Sequence, residues 1–93
     1  MLKINPQNIE SWCNMGVAFA RLGKHQKAIE CYEHVLEINP KHTKTLSNMG
    51  SSFCTLEKFN EGIKYFILAL DIEPEEKNIL SNFNLAFSLS KQK

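Results

Sequence analysis

Three asparagines, Asn14, Asn48 and Asn82, fall 34 residues apart. A side-chain amide carries two donors and an acceptor, so each could take both the N–H and the C=O of an extended peptide. A row of such amides, one per structural unit, would hold a backbone without demanding a particular side-chain sequence. Other residues with chemical potential are sparse. Cys31 and His34 stand at i, i+3 and could give two metal ligands, but a structural zinc site needs four and no second pair is in view. His25 and His42 read as turn residues. There is no G-x-S-x-G, no phosphate-cradling glycine loop and no H-E-x-x-H. Cys13, Cys31 and Cys54 form neither a CxxC pair nor an even set suited to a disulfide framework. These observations argue against an enzyme, a metal site or a cofactor, and for reduced thiols in an intracellular, cytoplasmic setting.

Composition narrows the partners. The chain has 93 residues, enough for one domain, and a net charge of +1 with no basic stripe. Phosphate neutralisation therefore has little to work with, and nucleic acid is not expected. No apolar run reaches the roughly 18 residues of a membrane span, and Met1–Pro6 lacks the apolar run of a secretory signal. At 43% hydrophobic and 23% charged residues, the chain can build a core.

The elements that must position the asparagines follow a repeat. Pro6, Pro40 and Pro74 are spaced by 34 residues, each preceded by a similar stretch from Leu2, Leu36 and Leu70. Asn14-Met15-Gly16 returns as Asn48-Met49-Gly50, and Phe19 as Phe53 and Phe87. Residues 9–42 and 43–76 share ten identities without a gap, where chance would give roughly two. A period of this size marks stacked supersecondary units. Within each unit the spacing is helical: Trp12, Met15, Phe19 and Leu22 form one face, and Ala28, Tyr32 and Leu36 form another. Gly23 supplies a left-handed stop, and the residue before each proline is pushed out of the helix. Five helices are expected, over 8–22, 25–38, 42–56, 59–72 and 76–90, with antiparallel neighbours because the links are short. Glu75 and Glu76 serve the start of the last one.

Here the chain resembles the tetratricopeptide repeat family, whose pattern is W-x₂-L-G-x₂-Y, then A-x₃-F, then P. It reads Trp12, Met15-Gly16, Phe19, Ala28, Tyr32 and Pro40, then Leu46, Met49-Gly50, Phe53, Gly62, Phe66 and Pro74. A third unit starts with Leu80, Phe83 and Phe87. The resemblance implies an all-α superhelical solenoid made of two helix-turn-helix repeats, 9–42 and 43–76, followed by a half repeat or capping helix at 77–93. Residues 1–8 would be the tail of a preceding repeat, so the chain reads as an excerpt of a longer array. Gly16 and Ala28 are expected to meet where their helices approach, as are Gly50 and Gly62. Asn84 replaces the glycine in the third unit, as suits a terminal helix, while Leu85 and Leu89 leave it more apolar than a finished cap.

In this family the first helix of each repeat lines a concave groove. Carried over, the groove presents Glu10, Cys13, Asn14, Val17 and Arg21, then Lys44, Ser47, Asn48, Ser51 and Thr55, then Asn78, Ser81, Asn82 and Leu85. The asparagine row is similar to the ladder of O-linked N-acetylglucosamine transferases. Some family members clamp a chaperone's C-terminal carboxylate with lysine, arginine and asparagine, but Cys13, Val17, Asn78 and Asn82 depart from that pattern. The expected function is a scaffold holding a protein or peptide partner. The alternatives are self-association through exposed terminal surfaces and an accessory segment of a multidomain enzyme.

Overall fold

The constraint at proline is visible in the backbone. Asn39 (φ −137°, ψ 92°) and Glu73 (φ −128°, ψ 78°), each ahead of a proline, have left helical geometry and close the second and fourth helices. The computed structural model describes residues 8–91. It holds α1 (Ile9–Arg21), α2 (His25–Ile38), α3 (Thr43–Thr55), α4 (Phe59–Ile72) and α5 (Lys77–Ser90), and no strand occurs among the described residues. Every end falls within one residue of the expected boundary. The Leu2–Pro6 stretch, expected as the last turn of an earlier helix, lies outside the described residues. No described helix is long and apolar enough to cross a membrane.

The helix ends repeat with the same period as the core. Asn8, His42 and Glu76 stand 34 residues apart and cap α1, α3 and α5. Asn8 Oδ1 accepts from the Ser11 N–H at 3.1 Å, His42 Nδ1 from the Thr45 N–H at 3.3 Å, and Glu76 Oε1 from the Asn78 N–H at 3.3 Å. Each satisfies a backbone donor that the first turn would otherwise leave open. His42, expected as a plain turn residue, is thus a helix cap. At the other end, α1 and α3 close with the same left-handed turn. Lys24 N–H donates to the Phe19 carbonyl at 2.8 Å and Lys58 N–H to the Phe53 carbonyl at 2.9 Å. The left-handed position is Gly23 (φ +79°) in the first turn and Glu57 (φ +63°) in the second. Glycine occupies it freely, whereas a residue with a Cβ does so at a cost of about 1 kcal/mol.

Neighbouring helices pack in sequence order, α1 on α2, α2 on α3, α3 on α4 and α4 on α5, while α1 and α5 each only graze α3. Two apolar clusters result. One gathers Ala28, Ile29, Tyr32 and Met49, and the other Leu46, Phe66, Ala69, Ile79 and Ala86. Leu36 and Tyr65 pack against both and join them.

Close approach is set by aromatic rings over glycine. A Cβ built on Gly16 would lie 2.5 Å from the Tyr32 ring, and one on Gly50 would lie 2.9 Å from the Phe66 ring. At Gly16 the nearest neighbour is thus the Tyr32 ring, a contact that the expected meeting of Gly16 and Ala28 did not include. Gly50 and Gly62 do approach: a Cβ on Gly62 would sit 2.8 Å from the Gly50 carbonyl oxygen and 2.5 Å from Cys54 Sγ. The apolar faces also differ in detail from the expected ones. Leu22 is 70% exposed, since it follows the last turn of α1. On α5 the buried residues are Ile79 and Ala86, which face α4, while Leu80 and Phe87 are 44% and 45% exposed. Their counterparts Leu46 and Phe53 are covered, Leu46 being 3% exposed and Phe53 half-buried beneath Tyr65. Gly62→Val should force α3 and α4 apart and cost about 1–3 kcal/mol, read from the midpoint of urea unfolding at unchanged slope.

Candidate functional site

α1, α3 and α5 share one side of the molecule, and three clefts open between their side chains. The first, of about 220 Å³, lies between α1 and α3 and is lined by Val17, Ala20, Arg21, Asn48, Ser51 and Thr55, with His25, Tyr32 and Ser52 at its base. The second, of about 310 Å³, lies between α3 and α5 and is lined by Ser51, Cys54, Thr55, Asn82, Leu85 and Leu89, with Phe66 and Ala86. The third, of about 540 Å³, lies near the α3 and α5 starts and is lined by Lys44, Ser47, Asn48, Asn78 and Asn82, with Thr43, Ile79, Glu73 and Glu76.

Asn48 therefore borders the first and third clefts, and Asn82 the second and third. The two are half-buried, and helical periodicity puts both on the α3–α5 side that faces away from the core. Asn14 is exposed on α1 and lines none of the three. Among the described residues, the side-chain amides of all three asparagines have no hydrogen-bond partner, and the Arg21 guanidinium makes no ion pair. Both sets of groups are thus open to a ligand. Val17, Arg21, Lys44, Ser47, Ser51, Thr55, Asn78 and Leu85 line clefts, whereas exposed Glu10 and Ser81 line none of them.

Cys13 is a correction. Expected to face a partner, it is 5% exposed and its Sγ lies within hydrogen-bond reach of Thr45 Oγ1, at 3.7 Å. Thr45 meets it where α3 grazes α1, so Cys13 belongs to the interior. Residues not expected in the groove also reach the clefts. His25 begins α2, and its Nδ1 lies 3.4 Å from Ser52 Oγ. Glu73 and Glu76 come from the link before α5, and Leu89 from its last turn. The signal for His25 and Ser52 is only three-dimensional, since they are 27 residues apart.

His34 does not turn toward Cys31 as a ligand would. Its ring stacks on Trp12 with centroids 4.1 Å apart, and its Nδ1 lies 3.5 Å from Glu37 Oε1. Among the described residues, no three His, Cys, Asp or Glu gather as a metal site would need. All three cysteines are free thiols. Burial raises the Cys54 thiol, and burial followed by the Glu30 charge raises that of Cys31, so both favour the unreactive protonated form.

Tyr32, 1% exposed beside the first cleft, is pushed up to about 12, chiefly by burial and then by Cys13 and Cys31. The unfolded chain releases that proton near pH 10 while the folded chain keeps it. Its contribution to stability is complete below pH 10 and is lost as pH rises towards 12. Urea unfolding at stepped pH should fall across this window in the wild type and fall less steeply in Tyr32→Phe.

Similarity to known proteins agrees with the geometry. Residues 9–42 match the sequence profile of the tetratricopeptide repeat family. No curated protein matches the chain. Among solved structures, the first tetratricopeptide domain of Spaghetti (RPAP3), bound to an HSP90 peptide, superposes with a TM-score of 0.90 at 23% identity over 94% of this chain and 69% of that one. The second such domain of the same protein, also bound to an HSP90 peptide, gives 0.87 at 20% identity over 95% and 82%. A MamA mutant gives 0.81 at 21% identity over 90% of this chain; the present chain spans 61% of that protein and 47% of a second MamA mutant. Residues 9–42 are a tetratricopeptide repeat, and the chain folds as the helical array of a tetratricopeptide-repeat domain.

Proposed function

We propose that this chain is a protein-interaction module that lays an extended segment of a partner across α1, α3 and α5. Residues 43–76 act as the second repeat of the array, and α5 extends the same surface. The observation that carries the reading is the pair Asn48 and Asn82. Both are half-buried, both border clefts, and both keep an amide with no hydrogen-bond partner among the described residues. A group placed that way offers a peptide bond its donor and acceptor together. Asn14 continues the row on α1. RPAP3 domains of the same fold are bound to HSP90 and HSP70 peptides, which supports a peptide ligand here. The means of holding it differs from a carboxylate clamp, because Cys13 is interior and Asn78 and Asn82 carry no charge. Against peptides selected from a random decapeptide library, Asn48→Ala should weaken binding by about 1–3 kcal/mol, the cost of leaving partner groups unpaired. Unchanged affinity in a fluorescence anisotropy titration would refute the role of the row.

A second reading, self-association, is favoured by the bare Leu80–Phe87 stripe on α5, where the corresponding Leu46 and Phe53 are covered. Apolar surface of this kind drives association. Sedimentation velocity over a hundredfold concentration range should show a rising sedimentation coefficient in the wild type that Phe87→Ser abolishes. A monomer throughout would eliminate this reading.

A further inference from the structure

The clefts on either side of α3 are the same place in successive repeats. Adding 34 to the residues of the α1–α3 cleft gives those of the α3–α5 cleft almost throughout. Asn48 becomes Asn82, Tyr32 becomes Phe66, and Ala20 becomes Cys54. The asparagine is constant, but the rest of the lining changes character. Arg21 gives way to Thr55, Ser51 to Leu85, Ser52 to Ala86, and Thr55 to Leu89. Both clefts are lined mainly by apolar surface, but one holds a cation with no ion pair among the described residues, and no carboxylate lines it. The other has Thr55 in place of that cation and gains Leu85 and Leu89.

We infer that these two clefts read adjacent side chains of one extended partner segment with opposite chemistry, a carboxylate at Arg21 and an aliphatic side chain at Leu85 and Leu89. The inference rests on the peptide-holding reading above and adds what the peptide must be. A free guanidinium presents a fork that matches a carboxylate in two parallel hydrogen bonds. His25, Ser51 and the Asn48 amide add donors around the same space. In the partner cleft, Leu85 is 61% exposed, so covering it with an aliphatic group removes apolar surface from water. In the third cleft, Glu73 and Glu76 stand against the single cation Lys44 and would repel a carboxylate placed there. Successive first helices lie roughly 10 Å apart, and an extended chain covers that in about three residues. The preferred segment therefore carries aspartate or glutamate about three residues from leucine, isoleucine or valine.

The test is selection from a phage-displayed library of random decapeptides against the whole chain, repeated with Arg21→Gln, Arg21→Glu, Leu85→Ser and Asn48→Ala. Circular dichroism would check that each variant keeps its helices, as expected for exposed Arg21 and Leu85. The wild type should enrich an acidic residue about three positions from an aliphatic one. A synthetic peptide of that pattern should bind about tenfold or more tighter than its lysine-for-acid counterpart. Arg21→Gln should erase that difference and Arg21→Glu should invert it, both keeping the aliphatic preference, while Leu85→Ser should lose only the aliphatic preference. Peptides that bind wild type and Asn48→Ala unequally, yet show no acidic preference or one that survives Arg21→Glu, would overturn the inference and leave the groove reading standing. Selected peptides indifferent to Asn48→Ala would overturn both.

Discussion

The whole array depends on how near a first helix can come to the second helix of its own hairpin. A ring from the second helix lies directly over a glycine of the first, Tyr32 on Gly16 and Phe66 on Gly50, at separations where a single added carbon would collide. This contact closes each hairpin and thereby sets the face that α3 offers to α2. It also fixes the rotation of α1 and α3 about their axes. Because the glycine side of each is committed inward, residues two positions earlier, Asn14 and Asn48, are turned away from their own hairpin partner. The clefts are a by-product of packing before they are anything functional. Glycine within a helix sacrifices about 0.5–1 kcal/mol relative to alanine, and the ring burial recovers it.

Most of the fold is legible because its determinants are local or periodic. Proline expels the residue before it from the helix, Gly23 ends α1, and apolar spacing marks the faces; each acts within a few residues. What could not be read comes from contacts between elements. Cys13 lies at a position that faces a groove in the family pattern, but Thr45, from α3, reaches it and helps to bury it. The Tyr32 ring over Gly16 comes from the opposite helix of the hairpin, and the spacing of small residues does not announce it. Leu80 and Phe87 satisfy the same spacing as Leu46 and Phe53, yet their burial depends on a neighbour whose presence the spacing does not encode.

The candidate site divides the same way. The asparagine row is visible from its period alone, whereas its setting is not. His25 and Ser52 belong to different repeats, and Glu73 and Glu76 enter from a link whose composition reads as helix capping. The caps carry a related lesson. Asn8, His42 and Glu76 do one job with three chemistries. A search for identical residues at the repeat interval passes over them, and a search for an acceptor at that interval would find them.

Leu36 and Tyr65 pack against both apolar clusters. In a linear array, stability is the sum of what each unit holds and what it shares with its neighbour. With Met49, which lies in the first hairpin's cluster, these two side chains carry much of the shared part between the hairpins. A change at either is felt on both sides at once, so it alters cooperativity as well as total stability. Trimming them would convert one melting transition into two, with each hairpin losing its order on its own schedule.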